Sequence, residues 1–321
     1  MRILVTGGAG FIGSHLCERL IKNGHAVTTI DNLSTGRASN LSNLLNSKSF
    51  TLVEGSILEM NILKPLIENA DYVFHLAAAV GVFNIVNNPL TSLLTNIRGT
   101  ENVLETAYIT RTPVFLTSSS EVYGKNISDS LKESDDRVLG SPVTLRWSYS
   151  EAKAIDESLA YAYFVEKNLE TRIVRFFNTV GPRQLGAYGM VVPRFVRAAL
   201  TNEPITIYGD GNQTRCFAHV YDVVDAVIAI AFADNTIGKV INIGNDFEIS
   251  INGLAKKIID EVGSKSDMVY IPYSEAYGNG FEDMERRVPN IDLINQLVGW
   301  KPKRDLSTMI ADISEEMKKG Y

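Results

Sequence analysis

The sequence predicts an α/β fold: a doubly wound parallel sheet followed by a smaller C-terminal α/β part. Short apolar runs alternate with segments of helical periodicity over residues 2–176, a glycine-rich turn links the first run to the first helical segment, and the runs are continuously apolar rather than alternating. Strands of that kind are buried on both faces, so helices must cover the sheet on both sides.

Residues 2–6 form the first strand, and Leu16, Cys17, Leu20 and Ile21 recur at helical spacing with Gly24 as a stop. Between them lies Gly7-Gly8-Ala9-Gly10-Phe11-Ile12-Gly13. Glycines at 7, 10 and 13 suit a tight turn, close approach of a pyrophosphate and helix packing, with helix-terminal amides meeting the phosphates. Such turns are common, but here the next strand, residues 26–30, ends in Asp31, 18 residues after Gly13. An acid there accepts from ribose hydroxyls and repels a 2′-phosphate, which predicts NAD rather than NADP. The competing reading of Asp31 is a cap in the Asp31-Asn32-Leu33-Ser34 turn.

The alternation continues with a strand at 50–53, a helix near 62–67, a strand at 72–74, a helix over 89–108 and a strand at 114–117. The long helix carries Leu93, Leu94, Ile97, Val103, Leu104 and Ala107, enough for core alone or for core plus a dimer seam. Residues 125–140 read as a polar surface loop. A helix opens around Arg146-Trp147-Ser148-Tyr149 and runs to about Lys167, followed by a strand at 171–176. Beyond it the pattern loosens: a short helix at 196–200, a strand at 205–208, an extended piece at 214–217, a helix at 220–232 and a strand at 240–243 that returns to the sheet. Two helical segments then flank a loop at 273–289, rich in glycine, acid and arginine, that reads as a lid. The expected division is a dinucleotide domain of residues 1–177, joined by 216–245, and a substrate domain of 178–215 and 246–321.

A chain of 321 residues with 45% hydrophobic and 21% charged residues can bury a large core. Its net charge of -6 argues against a nucleic-acid surface. Cys17 and Cys216 have no metal-ligand spacing and read as buried thiols, so no metal is expected. No apolar run approaches the roughly 18 residues needed to span a bilayer, and Met1-Arg2 leads straight into a strand. The expected location is the cytoplasm.

The chemistry concentrates after the strand at 114–117, in Thr117-Ser118-Ser119-Ser120-Glu121-Val122-Tyr123-Gly124. Taken alone, this is a polar strand end that caps a turn. Tyr149 and Lys153, four apart, share one helical face. A neighbouring ammonium and a cationic nicotinamide favour the phenolate, so Tyr149 reads as a proton acceptor, with Ser119 bonding the same substrate hydroxyl.

The glycine loop, His75-Leu76-Ala77-Ala78, Ser119 and Tyr149-x-x-x-Lys153 together resemble the extended short-chain dehydrogenase/reductases that act on nucleotide sugars. The resemblance covers essentially the whole chain. It implies a seven-stranded Rossmann domain, bound NAD that oxidises a ring hydroxyl and later returns the hydride, and a homodimer through the helices at 89–108 and 149–167. Gly7, Gly10, Phe11, Ile12 and Gly13 would hold the pyrophosphate, Asp31 and Asn32 the ribose, and Leu76, Ala77 and Ala78 would line the dinucleotide. Lys153 would bind the nicotinamide ribose. Ser56-Ile57 would contact adenine, with Ser56 standing where many relatives have aspartate. Asn178, Arg183 and Arg215 would hold the sugar nucleotide.

Within that family the similarity is closest to UDP-glucuronate decarboxylases of the UDP-xylose synthase and aminoarabinose type. They share Ser120-Glu121 and a loop that here reads Tyr277-Gly278-Asn279-Gly280-Phe281-Glu282-Asp283-Met284-Glu285-Arg286-Arg287-Val288-Pro289. The resemblance places Tyr277 and Arg287 at the substrate, with Arg287 opposite Glu121. Ser120, Glu121 and Arg287 would orient the sugar carboxylate and manage the proton. In the competing reading, Arg286 and Arg287 pair with the acids of a solvated loop. Sugar 4,6-dehydratases carry Asp-Glu in place of Ser120-Glu121. The segment 186–195 instead resembles 4-epimerases, which are the alternative. A non-enzymatic NAD-sensing regulator is the third reading, set against Ser119, Tyr149 and Lys153.

Overall fold

The computed structural model describes residues 1–81, 85, 87–186, 190–277, 284 and 286–319. Strands β1 (Arg2–Thr6), β2 (Ala26–Asp31), β3 (Phe50–Glu54), β4 (Tyr72–His75), β5 (Val114–Ser119) and β6 (Thr171–Phe176) alternate with α1 (Phe11–Lys22), α2 (Met60–Glu68), α3 (Pro89–Thr110) and α4 (Ser148–Lys167). Short strands β7 (Thr179–Val180), β8 (Ile205–Tyr208), β9 (Thr214–Cys216) and β10 (Ala218–His219) precede β11 (Val240–Ile243), which returns to the main sheet. The seven strands lie in the order β11-β6-β5-β4-β1-β2-β3, all pairs parallel. Strand order reverses at β1, flanked by β2 and β4, so a crevice opens beyond their carboxyl ends.

The continuous apolar strands have the predicted cause. In β1, Ile3 and Val5 enter one core with Leu16, Leu20, Phe115 and Val227, while Leu4 enters another with Ile30, Leu63, Val103 and Ile173. Both faces are covered, as a doubly wound sheet requires.

Downstream lie α5 (Val191–Thr201), α6 (Val220–Ala231), β12 (Glu248–Ser250), α7 (Ile251–Val262), β13 (Met268–Ile271), α8 (Tyr273–Tyr277), α9 (Asp292–Val298) and α10 (Leu306–Lys318). A separate core forms there from Phe195, Ile207, Leu254, Ile258, Ile310 and Ile313 among others. Two differences from the sequence reading have clear reasons. The helix expected at 196–200 begins at Val191, because Pro193 falls in its first turn, where an N–H has no intrahelical partner to lose. The division expected at 246 is not clean: Ile294 and Trp300 join the first core, and Trp300 Nε1 donates to Asp222 O at 3.0 Å.

Candidate active site

The crevice is one continuous cavity of about 750 Å³, lined by both the glycine loop and the end of β5. That volume suits a dinucleotide together with part of a second ligand. The glycines show which side faces the ligand. A Cβ on Gly7, whose φ is +75°, would lie 2.8 Å from the backbone of Ala77, and one on Gly13 would lie 2.2 Å from Gly7 O. A Cβ on Gly10 meets nothing nearer than 3.1 Å, and no side chain caps α1 there. The tight positions pack backbone on backbone, while Gly10 leaves the helix amides open to the cavity, an arrangement that fits a pyrophosphate.

Asp31 is buried, and its carboxylate accepts from Ala9 N at 2.9 Å and Leu33 N at 2.8 Å. Burial pushes its pKa up, against these amide bonds. The turn-capping reading is therefore realised, and a carboxylate with further acceptor capacity still lines the cavity. Asn32 accepts from Ser34 N and Oγ in its own turn. Ser56 behaves similarly, its hydroxyl accepting from Leu58 N at 3.2 Å while its amide donates to Glu59 at 2.7 Å. Ile57, Leu76, Ala77 and Ala78 complete this wall. Ala77 N donates to Thr6 Oγ1, which pairs with His75 Nδ1, and His75 Nε2 pairs with Thr100. Burial, then Lys153, lowers the His75 pKa to about 3, so this chain of bonds is neutral.

Opposite stands the end of β5. Ser119 Oγ accepts from Glu121 N at 3.2 Å and bonds the Tyr149 hydroxyl. Lys153 is buried, donating to Thr117 O at 3.0 Å and pairing with Asp156 at 3.2 Å. The phenolate expected at Tyr149 rests on Lys153 and a cationic nicotinamide together, and the structure shows the protein's own share of that. The Tyr149 pKa is pushed up, first by burial and then by Glu121 and Asp156. Asp156 offsets the ammonium and adds negative charge near the phenol, so the protein's own charges do not favour a phenolate.

Beside Tyr149 sits a buried ionic cluster. Glu121 pairs with Arg146 at 2.6 Å and with Arg287 at 2.8 Å, and Arg287 Nη1 reaches Ser120 Oγ at 3.3 Å. Burial alone would raise the Glu121 pKa, but Arg146 and then Arg287 hold it at about 2. Glu121 is thus a carboxylate held ionised near neutrality by its two arginines. Arg287 does face Glu121. Arg286 turns elsewhere, its guanidinium gripping Glu248 at 2.7 and 2.9 Å, and the loop acids Glu282, Asp283 and Glu285 of the competing reading lie outside the described residues. The backbone beside Arg287 is tied down as well: Leu131 N donates to Val288 O and Asn290 N to Leu131 O, both at 2.8 Å.

On the remaining side, Asn178 Nδ2 donates to Cys216 O, and Arg215 lies buried at the cavity wall in β9. Arg183 reaches the cavity but turns toward α1, bonding Ser14 and pairing with Glu18 at 2.6 Å. It bridges the cofactor helix to the substrate side instead of pointing only at a sugar nucleotide. The Tyr277 side chain, Gly278 to Asp283, Glu285 and residues 187–189 lie outside the described residues. Cys17 and Cys216 are buried free thiols. Among the described residues no carboxylate, cysteine or histidine group could hold a metal, and no helix is long and apolar enough to cross a membrane. Arg146, at the cavity wall and paired with Glu121, is the cluster member that sequence reasoning missed. Its only signal was its place three residues before Tyr149, with a buried Glu121 needing a counter-charge.

Fold and cleft together define a dinucleotide-dependent enzyme with a Ser-Tyr-Lys set. The chain belongs to the NAD dependent epimerase/dehydratase family, whose model matches residues 3–244, and its cofactor is NAD. It is 40% identical over 302 residues to a UDP-N-acetyl-alpha-D-glucosaminuronate decarboxylase of Bacillus cytotoxicus, covering 94% of this chain and 92% of the relative. It is 37% identical to UDP-glucuronic acid decarboxylase 1 of Xenopus tropicalis, covering 94% and 68%. Among solved structures, UDP-glucuronic acid 4-epimerase from Bacillus cereus, in complex with UDP-glucuronic acid and NAD, superposes with a TM-score of 0.90 at 29% identity over 100% of both chains.

Proposed function

We propose that this chain is an NAD-dependent UDP-uronate decarboxylase, taking UDP-glucuronate to UDP-xylose or its 4-keto precursor. The observation that carries this reading is Glu121 held between Arg146 and Arg287 beside Tyr149. Two guanidiniums and one carboxylate leave a net positive charge, a seat for the carboxylate of a sugar acid. The decarboxylases among its relatives support the same class.

Gly7, Gly10, Phe11, Ile12, Gly13 and Asp31 would hold the dinucleotide, and when bound NAD supplies reversible hydride acceptance at sugar carbon 4. Tyr149, bonded to Ser119, would take the proton of the 4-hydroxyl as a phenolate, a state that the positive charge of bound NAD favours where Lys153, offset by Asp156, does not. With carbon 4 at the ketone level the sugar acid is a β-keto acid. The bond to its carboxyl carbon breaks, carbon dioxide leaves, and the electron pair becomes an enolate. Tyr149 and Ser119 then donate to the enolate oxygen. Arg287 and Ser120 orient the carboxylate, while Asn178 and Arg215 hold the diphosphate. Exposed Ile109, Ile155, Tyr161 and Val165 on α3 and α4 suit a homodimer seam. Free buried thiols suit a cytoplasmic location.

The test is incubation with UDP-glucuronate, UDP-N-acetylglucosaminuronate and UDP-glucose, with products followed by NMR and carbon dioxide measured. A UDP-pentose or 4-keto product with gas from either uronate supports the reading, and the better of the two names the substrate. UDP-galacturonate without gas makes the chain a 4-epimerase, the reading that the Bacillus cereus structure favours.

A further inference from the structure

In the cluster beside Tyr149, Arg146 contributes charge through its pair with Glu121. Arg146 lies in the short turn Leu145–Trp147 that leads into α4, and it is as deeply buried as Arg287. Its guanidinium carbon stands 5.5 Å from the centre of the Trp147 ring, and Trp147 is itself fully buried. Glu121 stands between the two arginines, each ion-paired with a different carboxylate oxygen. Glu121 in turn acts on the Tyr149 hydroxyl, whose pKa it helps to raise.

We propose that Arg146 is a positioning residue: it fixes Glu121 as the anchor for Arg287, and so gives the cluster the surplus positive charge that selects a sugar carboxylate over a neutral sugar. This deepens the uronate reading and rests on it. A carboxylate paired with one arginine is neutral as a pair and offers an incoming anion no net attraction. Arg146 is the second positive charge. It also occupies one oxygen of Glu121, which leaves the other to hold Arg287 in a single orientation. Because Arg146 precedes Tyr149 by three residues, the charged seat and the proton acceptor keep a fixed register through the start of α4.

The test compares wild type, Arg146→Gln and Arg146→Lys as NAD-loaded proteins, by calorimetric binding of UDP-glucuronate and of UDP-glucose. Wild type binds the uronate more tightly. Arg146→Gln is expected to lose roughly tenfold of that preference, the scale of one charge-assisted bond, with UDP-glucose affinity and NAD content unchanged. Arg146→Lys restores most of the preference. Full preference in Arg146→Gln overturns the proposal, as does equal loss of both ligands together with NAD. Should wild type itself show no preference, the uronate reading fails, and the anchoring role is still decided by difference infrared spectra of the Glu121 carboxyl. Protonation of Glu121 at a higher pH in Arg146→Gln than in wild type, absent when Glu121→Gln is added, supports the role. An unchanged titration overturns it.

Discussion

The two walls of the cleft are made of different material. The cofactor wall is backbone: glycines packed on Ala77 and on each other, helix amides, and a carboxylate whose partners are loop N–H groups. The sugar wall is side chain: Ser119, Tyr149 and a cluster whose members come from distant segments, Ser120 and Arg287 being 167 positions apart. A wall of backbone is set by local spacing and tolerates no added atoms. A wall of side chains is set by tertiary packing and responds to charge.

Substitutions sharpen that contrast. Tyr149→Phe should lower turnover by about 10²–10⁴, the usual worth of a positioned acid-base group, and leave NAD content intact. Unchanged steady-state turnover would remove Tyr149 as the base. Glu121→Gln leaves two buried guanidiniums without their counter-charge, so carbon dioxide release should fall by about 10–100-fold while bound NAD is retained. Parallel loss of NAD would mean the two walls are not separable. Gly13→Ala should do the reverse. Its Cβ meets Gly7 O at 2.2 Å, so the loop must shift at a cost of about 1–3 kcal/mol, and the protein should purify with depleted NAD. Gly10→Ala, with only a 3.1 Å approach, should perturb the fold less, and equal thermal losses in the two variants would contradict the packing argument.

Acid should reach the cofactor side first. Burial, then Lys153, lowers the pKa of His75 to about 3, and burial, then Arg183, lowers that of His15 to about 4, from 6.5. The unfolded chain therefore binds these protons first, and stability falls as pH drops below 6.5, levelling off near 4 for His15 and near 3 for His75. The depressed Glu121 contributes stability that is present above 4.5 and lost as pH falls toward about 2. Urea midpoints should thus begin to decline before Glu121 titrates, and His75→Asn should flatten the upper part of that decline. The smallest effect belongs to Arg286→Ala. Its pair with Glu248 is 42% and 28% exposed, so solvent screening limits the loss to at most about 1 kcal/mol in thermal unfolding.

What could be read in the sequence follows the same contrast. Gly7, Gly10, Gly13 and Asp31 sit within one βαβ unit, so spacing alone placed them. Tyr149 and Lys153 were legible because one helical turn separates them. Arg287 was reached only through resemblance, since no local pattern brings a loop arginine to a strand end. Arg146 was read only as part of a helix start. An arginine at a helix start looks solvated until packing around Trp147 buries it. Arg183 reaches the cavity, and sequence does not show that its guanidinium also turns back to Glu18. The protein's share in setting Tyr149 is half legible for a related reason: Lys153 is visible from spacing, while the compensation by Asp156 needs the fold.

The backbone bridge between Leu131 and residues 288–290 has a practical meaning for anyone exchanging sugar selectivity among relatives. The loop that delivers Arg287 is spliced to the loop at 125–140, and that loop is itself held where Arg175 donates to Glu133 O. A transplant of the Arg287 segment alone would arrive without its mooring. Leu131 and Asn290, whose amides form the bridge, should exchange their hydrogens with solvent together, and the two segments should be engineered as a pair.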